Sequence, residues 1–470
     1  MSETLHVDHV IYSGNGLVHK PDGTTVLVPF TLPGETIETN ETNETNDSNV
    51  SNEAPLLCVL IPSPERVAAP CPHFETCGGC HYQMATYAEQ LCLKRSILEE
   101  TLQRAGVDAI PEISTHSAEP WGYRNRIRLR IARAGHPQPT GDTGDTALRI
   151  GYNRHGTTEF LPISTCLIAA PVLWSTAESL LAAATQSRDA DYWLNAAAEV
   201  ELFCDHTLTR VQITLFCAPR TKAHSGSFDR LAAALQAHAP QGITIAATAA
   251  VAFDPRTGPT GRMLAAAGAP GLNYRVLDET YWITRGGFFQ TNRFLLETLV
   301  KLVCYEDGQQ RSGALAWDLY AGVGLFSRVL ARSFTRSTAV EANPAAAADL
   351  RAALAAQQKG NAQQKAKKLS LGGTALAATT LDFLRAAVLE RDRPELIVLD
   401  PPRAGAGLEA CDLLLRIAAP TLVYVSCDPT TLARDLQALQ PLYQITALHL
   451  VDLFPQTFHI ETIVVLERRA

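Results

Sequence analysis

The chain of 470 residues lacks any uncharged apolar stretch of the roughly 18 residues that a membrane helix needs. Its first ten residues contain acids and histidines without an apolar core, so the sequence predicts no secretory signal. The hydrophobic fraction of 46% and the charged fraction of 19% are ordinary for a globular protein. We therefore expect a cytoplasmic protein without membrane contact, and its length favours about three domains.

Positive charge is absent from residues 21–65, which contain eight acids and account for the whole net charge of −8. Within this segment, residues 38–53 form an acidic run rich in Asn and Thr, which predicts a disordered insertion. Residues 121–154 show the opposite bias, with seven arginines against two aspartates. Such a segment suits phosphate groups of a nucleic acid, although a solvated arginine-rich strand face explains it equally well.

The 11 cysteines are an odd number, which argues against a framework of disulfides. Three of them, Cys71, Cys77 and Cys80, are closely spaced around a Gly-Gly pair. Zinc and iron–sulfur centres both require four ligands, so a fourth cysteine must come from elsewhere, either Cys92 or Cys166. The spacing predicts a metal centre without choosing between the two metals, and buried free thiols are the alternative.

Hydrophobic patterning divides the chain into regions of different character. Short β-rich runs with turn signals in residues 4–67 favour a small barrel. Residues 87–106 have helical periodicity, and residues 126–131 alternate arginine with apolar side chains, as a strand with one buried face does. From about residue 274, apolar strands alternate with helices, which predicts a parallel doubly wound sheet with its ligand at the carboxyl ends of the strands.

Two strand ends in this last region carry features of a nucleoside site. A G-x-G turn at Gly322 and Gly324 follows one strand, and Glu341 ends the next, where an acid suits ribose hydroxyls. Glycines that only pack a helix onto the sheet are the alternative. Asp400 ends a further strand before two prolines, which hold a rigid extended exit and place a carboxylate for hydrogen bonding.

Two later residues have the properties of reacting groups. Cys427 follows a strand and precedes a helix, where a thiol has a lowered pKa and can act as a nucleophile. Glu461 stands at the mouth of the last apolar strand and is a candidate general base. His459 could assist it, although a structural histidine is the better interpretation, and for Cys427 a core residue is the alternative.

Together these segments resemble the RNA uracil-5-methyltransferases, in particular the branch with an N-terminal TRAM domain and an iron–sulfur cluster. The resemblance covers nearly the whole chain and rests on six motifs in order: the cysteine loop 71–80, Gly-Phe-Phe-Gln-Thr-Asn at 287–292, Asp-Leu-Tyr at 318–320, Asp-Pro-Pro-Arg at 400–403, Ser-Cys-Asp-Pro at 426–429 and His-Ile-Glu at 459–461.

The resemblance implies an α/β multidomain fold. A TRAM-like β-barrel would span residues 1–67, an α+β RNA-binding domain with the cysteine loop residues 68–272, and a Rossmann-like methyltransferase domain residues 273–470. It implies S-adenosylmethionine as cofactor, contacted by Gln290, Tyr320, Glu341 and Asp400. It also implies a [4Fe-4S] cluster on Cys71, Cys77, Cys80 and Cys166.

The resemblance implies methylation of carbon 5 of a uridine in large-subunit (23S) ribosomal RNA, by a chain that works as a monomer. Carbon 5 of uracil is a poor nucleophile, so Cys427 would add to carbon 6 and Glu461 would later remove the proton from carbon 5. The TRAM-like barrel and the strand Arg124–Arg130 would bind the RNA backbone.

Three other functions fit parts of the pattern: uracil-5 methylation of transfer RNA, methylation of an exocyclic amine, and a non-catalytic iron–sulfur protein that binds RNA. The amine enzymes have an aromatic residue after Pro-Pro, where this chain has Arg403. The chain also departs from the uracil-5 family at Ala321 and Leu325, and it has no acid at 378–379.

Overall fold

The computed structural model describes residues 2–40, 53–133, 147–254, 258–363, 372–390 and 393–469. Most of the predicted acidic insertion, residues 41–52, lies outside these ranges. No helix in the described part of the chain is long and apolar enough to cross a membrane.

The N-terminal strands form two small antiparallel sheets, β1-β5-β6 and β2-β3-β4. Their bounds are β1 (Ser2–His6), β2 (His9–Val10), β3 (Asn15–His19), β4 (Thr25–Pro29), β5 (Thr36–Asn40) and β6 (Leu56–Ile61). Alternating apolar residues such as Val26, Val28 and Ile37 are buried between them. The closed barrel stays a prediction, because the described strands make two separate sheets.

The segment that follows contains the cysteine loop, then α1 (Tyr87–Arg104) and β7 (Ile113–His116). Thr86 caps α1 by accepting a hydrogen bond from the Glu89 amide, and Gly106 follows its end with φ of +73°. The predicted helix over residues 87–106 is therefore present. Although this segment precedes the central sheet, β7 joins the edge of the C-terminal sheet, parallel to its neighbour.

The central region is built on a seven-stranded sheet with the order β10-β9-β8-β11-β12-β13-β14. Its elements are β8 (Arg126–Arg133), β9 (Leu148–Asn153), β10 (Phe160–Pro162), α2 (Pro171–Gln186), α3 (Arg188–Ala196), β11 (Ala197–Cys204), β12 (Arg210–Cys217), α4 (Ser227–His238), β13 (Thr244–Asp254) and β14 (Gly258–Gly268). Ile127, Leu129 and Ile131 of β8 are buried against the helices, as the alternating pattern predicts.

The C-terminal region begins with the hairpin β15 (Gly271–Val276) and β16 (Glu279–Thr284), which precedes an eight-stranded sheet. The remaining elements are α5 (Leu296–Cys304), β17 (Tyr305–Glu306), β18 (Gln309–Gln310), β19 (Gly313–Leu319), α6 (Ser327–Leu330), β20 (Phe334–Glu341), α7 (Pro344–Gln363), β21 (Gly372–Ala377), α8 (Thr380–Glu390), β22 (Leu396–Leu399), α9 (Leu408–Ile417), β23 (Thr421–Ser426), α10 (Pro429–Leu439), β24 (Tyr443–Val451) and β25 (Glu461–Arg468).

The eight-stranded sheet has the order β21-β20-β19-β22-β23-β25-β24-β7. The first five strands in this order, from β21 through β20, β19 and β22 to β23, are parallel, as predicted. Strand β25 is antiparallel to both of its neighbours. Alternate residues of β19 and β22 enter two different cores. Trp317 and Ile397 face α1 and α8 to α10, whereas Ala316 and Val398 face α5, α6 and the hairpin. The sheet is therefore covered by helices on both faces.

One buried ion pair fastens α1 to the C-terminal region. The Nζ atom of Lys94 lies 2.6 Å from Oδ1 of Asp452 and donates a second hydrogen bond of 2.9 Å to the Phe454 carbonyl. The Tyr87 hydroxyl donates to the other carboxylate oxygen at 2.9 Å. Both charged side chains are fully buried, so removal of either leaves an uncompensated charge in the interior.

We expect Lys94→Met to lower the free energy of unfolding by about 3–5 kcal/mol, because the Asp452 carboxylate stays buried without its cation. Urea unfolding of the purified protein measures this change. Arg95→Met on the same helix is the matched control, since the exposed Arg95 lies 4.0 Å from Glu112 and should contribute less than about 0.5 kcal/mol. Equal losses in the two variants would contradict the assigned role of the buried pair.

Candidate active site and cysteine cavity

The carboxyl ends of four parallel strands of the C-terminal sheet lie side by side. We call this side, where the strands end, the active edge of the sheet. Leu319, at the end of β19, pairs with Val340 of β20 and with Leu399 of β22. Leu399 in turn pairs with Tyr424 of β23. Four predicted site residues stand at or just after these strand ends and so share this edge: Tyr320, Glu341, Asp400 and Cys427.

The direction of β25 brings Glu461 to the same edge. Because β25 is antiparallel to β23, with Ser426 paired with Thr462, its first residue lies at the carboxyl end of β23. A parallel last strand would begin at the opposite edge of the sheet. The antiparallel strand therefore places the candidate base beside the candidate nucleophile, Cys427.

The turn after β19 has an unusual backbone. Tyr320 has φ of +64°, a conformation that non-glycine residues seldom adopt outside constrained sites. The Gly322 amide donates a 2.8 Å hydrogen bond to Oε2 of Glu341, and the Asn343 amide donates one of 2.6 Å to Oε1. At Gly324, with φ of +84°, an added Cβ would lie 2.3 Å from Cδ1 of Leu350. Glycine is therefore required there, and Glu341 holds the turn.

The carboxylates at this edge repel one another. Burial raises the pKa of Asp318 to about 7, against a stabilising hydrogen bond from the Ser327 hydroxyl. Burial and the charge of Asp318 raise the pKa of Asp400 to about 7, and burial and Asp400 raise the pKa of Glu461 well above its usual range. The Asp400 and Glu461 side chains receive no hydrogen bond from the described residues. A cationic ligand would relieve this repulsion.

The Cys427 thiol is not activated in the way that the sequence predicts. Burial and the Glu461 charge together raise its pKa to about 11, although the Arg403 guanidinium acts in the opposite direction. Asp428 caps α10 and accepts hydrogen bonds from the amides at its N-terminus, so its carboxylate offsets the helix dipole near the thiol. The expected lowering of this pKa is therefore wrong.

The N-terminal region contacts the loop of Cys427, the candidate nucleophile. The Tyr12 hydroxyl donates a 3.1 Å hydrogen bond to the Cys427 carbonyl, and the Tyr12 ring packs edge-on against Phe458 with centroids 5.6 Å apart. The neighbouring turn is closely packed, because an added Cβ on Gly14 would lie 3.2 Å from Cβ of His81 and 3.3 Å from Cβ of Phe458. The site thus includes residues from both ends of the chain.

Asp435 is a site residue whose role the sequence did not reveal. Its fully buried carboxylate accepts hydrogen bonds from the Ala406 amide at 2.8 Å and the Tyr424 hydroxyl at 2.7 Å. The Thr431 hydroxyl donates to the Arg403 carbonyl at 2.9 Å. These bonds fasten the loop after Asp-Pro-Pro-Arg to α10. One sequence signal could have revealed this role, because Asp435 is an acid on the apolar face of the helix α10.

Gln290 lies in a loop that joins the central and C-terminal regions. Its carbonyl accepts a 3.0 Å hydrogen bond from Nδ2 of Asn125. Nearby, Nδ2 of Asn292 donates to the Leu453 carbonyl at 3.0 Å. No described hydrogen bond connects Gln290 with Tyr320, Glu341 or Asp400, so the structure does not join Gln290 directly to the other predicted cofactor residues.

Four cysteines line one cavity of about 270 Å³ between the cysteine loop and the central region. They are the four implied by the family resemblance: Cys71, Cys77, Cys80 and Cys166. Cys92 is exposed and does not line this cavity. Among the described residues, no three His, Cys, Asp or Glu side chains are close enough to hold a single metal ion.

His459 lines the same cavity and is not hydrogen-bonded to Glu461 in the described structure. Its ring packs against Phe458 and Phe454, with centroids 4.4 Å and 5.6 Å apart. Burial lowers its pKa to about 3, helped by the nearby Arg403 charge, so the ring is neutral. This environment fits the structural interpretation of His459.

The arginines of β8 are largely engaged within the protein. Arg126 forms a buried ion pair of 2.9 Å with Glu201 on the neighbouring strand. Arg128 pairs with Glu199, and its guanidinium lies 3.9 Å from the ring centroid of Phe216. Phosphate binding along this strand would have to compete with these partners.

Comparison with known proteins supports the family resemblance. Residues 272–469 match the model of the tRNA (uracil-5-)-methyltransferase family. The match covers the C-terminal region, which contains the motifs around Gln290, Asp400, Cys427 and Glu461. The resemblance that these motifs indicate is confirmed.

Full-length relatives agree with this family. An uncharacterized RNA methyltransferase of Aquifex aeolicus is 29% identical over 98% of both chains. The 23S rRNA (uracil(1939)-C(5))-methyltransferase RlmD of Chromohalobacter salexigens is 29% identical over 99% of this chain and 90% of that protein. The crystal structure of the Pyrococcus abyssi tRNA (uracil-54, C5)-methyltransferase, in complex with S-adenosyl-L-homocysteine, has a TM-score of 0.72 at 21% identity and covers 98% of this chain and 99% of that one. It confirms a mixed α/β methyltransferase fold.

The departures from the family have structural explanations. Ala321 and Leu325 are 8% and 7% exposed and pack in the cores beside the turn after β19. The Tyr281 hydroxyl donates a 2.8 Å hydrogen bond to the Leu325 carbonyl. Thr379 stands where the family often has an acid, and its hydroxyl caps α8 by accepting from the Asp382 amide at 3.1 Å.

The raised thiol pKa predicts a pH dependence for alkylation of Cys427. The thiolate is the reactive form, so the rate with iodoacetamide should rise roughly tenfold per pH unit until the pH approaches 11. Glu461→Gln should increase the rate at pH 8, and Arg403→Met should decrease it. Mass spectrometry of the modified peptides measures the rates.

The exposed Cys92 in the same sample serves as an internal reference for the reagent. A Cys427 rate that is already independent of pH above 7 would show that the thiol ionises readily, against the environment described.

Proposed function

We propose that the protein transfers a methyl group from S-adenosylmethionine to carbon 5 of a uridine in 23S ribosomal RNA, through a transient bond between Cys427 and carbon 6. The observation that carries this proposal is the antiparallel pairing of β23 and β25, which sets Glu461 beside Cys427. The Chromohalobacter salexigens relative, named for 23S rRNA and 29% identical, supports this substrate. Transfer RNA is the second candidate, because the matching family model and the Pyrococcus abyssi neighbour are named for tRNA.

The electrostatics of the sheet edge support S-adenosylmethionine as methyl donor. This cofactor carries a positive sulfonium and a positive ammonium group, and the edge carries several carboxylates with raised pKa values. Glu341 would bind the ribose hydroxyls, Asp400 would lie near the transferring end, and Gln290 and Tyr320 would add contacts. The neighbour with bound S-adenosyl-L-homocysteine has the same fold.

The residues of the chain carry the remaining steps. The Cys427 thiolate would add its sulfur to carbon 6 of uracil, and the electrons of the 5,6 double bond would move onto carbon 5 and the oxygen of carbon 4. When bound, S-adenosylmethionine would supply the methyl group for carbon 5 and would leave as S-adenosylhomocysteine. Glu461 removes the proton from carbon 5, the ring double bond forms again, and the bond between sulfur and carbon 6 breaks. Burial and the Asp400 charge raise the pKa of Glu461, which makes its ionised carboxylate a stronger base than an ordinary glutamate.

We also propose that Cys71, Cys77, Cys80 and Cys166 bind a [4Fe-4S] cluster. All four line one cavity, which is the donor set that such a cluster requires. The loop of the first three is fastened to the loop that leads to Glu461, because the His81 and Tyr82 amides donate to the Gln456 carbonyl at 2.8 Å and 3.1 Å. The cluster would therefore stabilise the frame of the active site.

The same proposal assigns a role to each domain, an oligomeric state and a cellular location. Residues 1–67 would act as a TRAM-like RNA-binding module, residues 68–272 as the cluster and RNA-binding domain, and residues 273–470 as the methyltransferase domain. The chain would act as a monomer in the cytoplasm. The target base must leave its stack to reach Cys427, at a cost of roughly a few kcal/mol.

The covalent step predicts trapped adducts between the protein and 23S rRNA transcripts that carry no methyl group at the target. With 5-fluorouridine at the target, the adduct should persist, since fluorine cannot be removed as a proton is. Glu461→Gln should accumulate an adduct even with ordinary uridine, and Cys427→Ala should form none. Denaturing gels of labelled RNA measure these species.

The exposed Cys92 offers the control, since Cys92→Ser should trap RNA like the wild type. An adduct that survives in Cys427→Ala would overturn the assignment of the nucleophile. Transfer of labelled methyl groups to transfer RNA alone would overturn the assignment of the substrate.

The role of Asp400 predicts a change in cofactor discrimination. Asp400→Asn should weaken S-adenosylmethionine binding about tenfold, or about 1.4 kcal/mol. Binding of S-adenosylhomocysteine, which lacks the sulfonium charge, should change much less. Calorimetry with both ligands measures the ratio, and Asp412→Asn, an exposed carboxylate on α9, is the control. Equal losses for both ligands would contradict a role for Asp400 next to the sulfonium.

A further inference from the structure

Arg124 lies in the wall of the cysteine cavity, directly before β8. Its amide donates a 2.9 Å hydrogen bond to the Ile168 carbonyl, and its carbonyl accepts one of 2.8 Å from the Ala170 amide. These bonds bind Arg124 to the segment that follows Cys166. These two hydrogen bonds therefore hold the backbone of Arg124 next to the backbone that follows Cys166.

Arg124 forms no ion pair with any Asp or Glu in the described part of the chain. Arginine is protonated at any physiological pH. The Arg124 side chain is half-buried, and its Nε atom is buried without a hydrogen-bond partner. Arg126 and Arg128, two and four residues later, each have a glutamate partner. A cation that is partly withdrawn from water without an anion is costly, so the absence of a described partner requires an explanation.

The cavity contains the group that can supply the missing negative charge. Cys80 and Cys166 lie close enough to Arg124 to experience its charge, and the Tyr152 hydroxyl lies 3.8 Å from Sγ of Cys166. Cysteines bind metals as thiolates, so a centre held by four cysteines is negatively charged. The other side chains with nitrogen donors in the cavity lining include those of His81, Gln83 and His459.

We propose that Arg124 is the counter-charge of the cysteine-bound centre, and that it retains this centre in the protein and sets its reduction potential. The inference rests on the proposed cluster. A fixed cation stabilises a negative centre, and it stabilises the reduced form more, because reduction adds a negative charge. Arg124 therefore slows loss of the centre and raises its reduction potential.

The experiment compares charge removal at two positions beside the cysteine loop. Arg124→Met and Arg124→Lys are prepared without oxygen beside the wild type and supplied with iron and sulfide. Arg154→Met is the matched control, since Arg154 neighbours Cys77 in a β-bridge but is solvent-exposed and paired with Glu159 at 3.3 Å. Iron and sulfide per chain, the rate of iron release to a chelator, and a dithionite titration followed by electron paramagnetic resonance are measured.

Arg124→Met should release iron at least about tenfold faster than the wild type, and its midpoint potential should become more negative. A tenfold weaker preference for the reduced form corresponds to about 59 mV for a one-electron couple. Arg124→Lys should recover most of both properties, and Arg154→Met should behave like the wild type. Unchanged release and potential in Arg124→Met would overturn the inference.

Two further outcomes separate the inference from the proposed cluster. A wild-type protein that takes up neither iron nor zinc would overturn the cluster and the inference with it, whereas one that holds iron leaves the Arg124 comparison decisive. If Arg124→Met is insoluble, Arg124→Lys is compared with Arg124→Gln. Retention by Lys and loss by Gln would support the counter-charge, and equal retention would overturn it. Binding of labelled S-adenosylmethionine confirms that each variant is folded.

Discussion

The loop between β24 and β25 is the constraint on which the rest of the structure depends. The buried pair of Lys94 and Asp452 fixes its start to α1. Further along, Tyr123 donates a 3.2 Å hydrogen bond to the Pro455 carbonyl, and Asn292 bonds to the Leu453 carbonyl. The cysteine loop binds its middle, and Glu461 follows its end. One short loop therefore ties the cysteine cavity, the central sheet and the active edge together.

The two sides of this loop carry opposite charge. At the sheet edge, the buried Asp318 and the half-buried Asp400 form no ion pair within the described residues. This arrangement suits the positively charged methyl donor that we propose. In the cysteine cavity, Arg124 forms no ion pair with a described carboxylate, which suits the negatively charged centre that we propose. The raised pKa of Cys427 has a related cause, because burial and the charges of Glu461 and Asp400 raise it.

The contacts changed one expectation and added a condition to another. The helix N-terminus was expected to lower the pKa of Cys427, but burial and nearby acids raise it, and no sequence pattern reveals which acids lie near a thiol. The expectation that the arginine-rich strand binds RNA stays a prediction, but the contacts add a competitor, because Arg126 and Arg128 pair with glutamates on β11. Their partners are about 70 residues away in the chain. Pairing across a sheet depends on strand order, which local sequence does not encode.

The sequence alone predicted most elements, the family resemblance and the candidate site residues, because periodicity, strand-end acids and spaced cysteines are local properties. It indicated Cys427 and Glu461 separately and gave four cysteines by resemblance. Only the tertiary structure decided that β25 is antiparallel to β23 and so brings these two candidate residues to the same edge. It also revealed the supporting role of Asp435, the contact of Tyr12 with the nucleophile loop and the unpaired charge of Arg124. Each of these depends on which distant segments meet, and that is settled by packing of the whole chain.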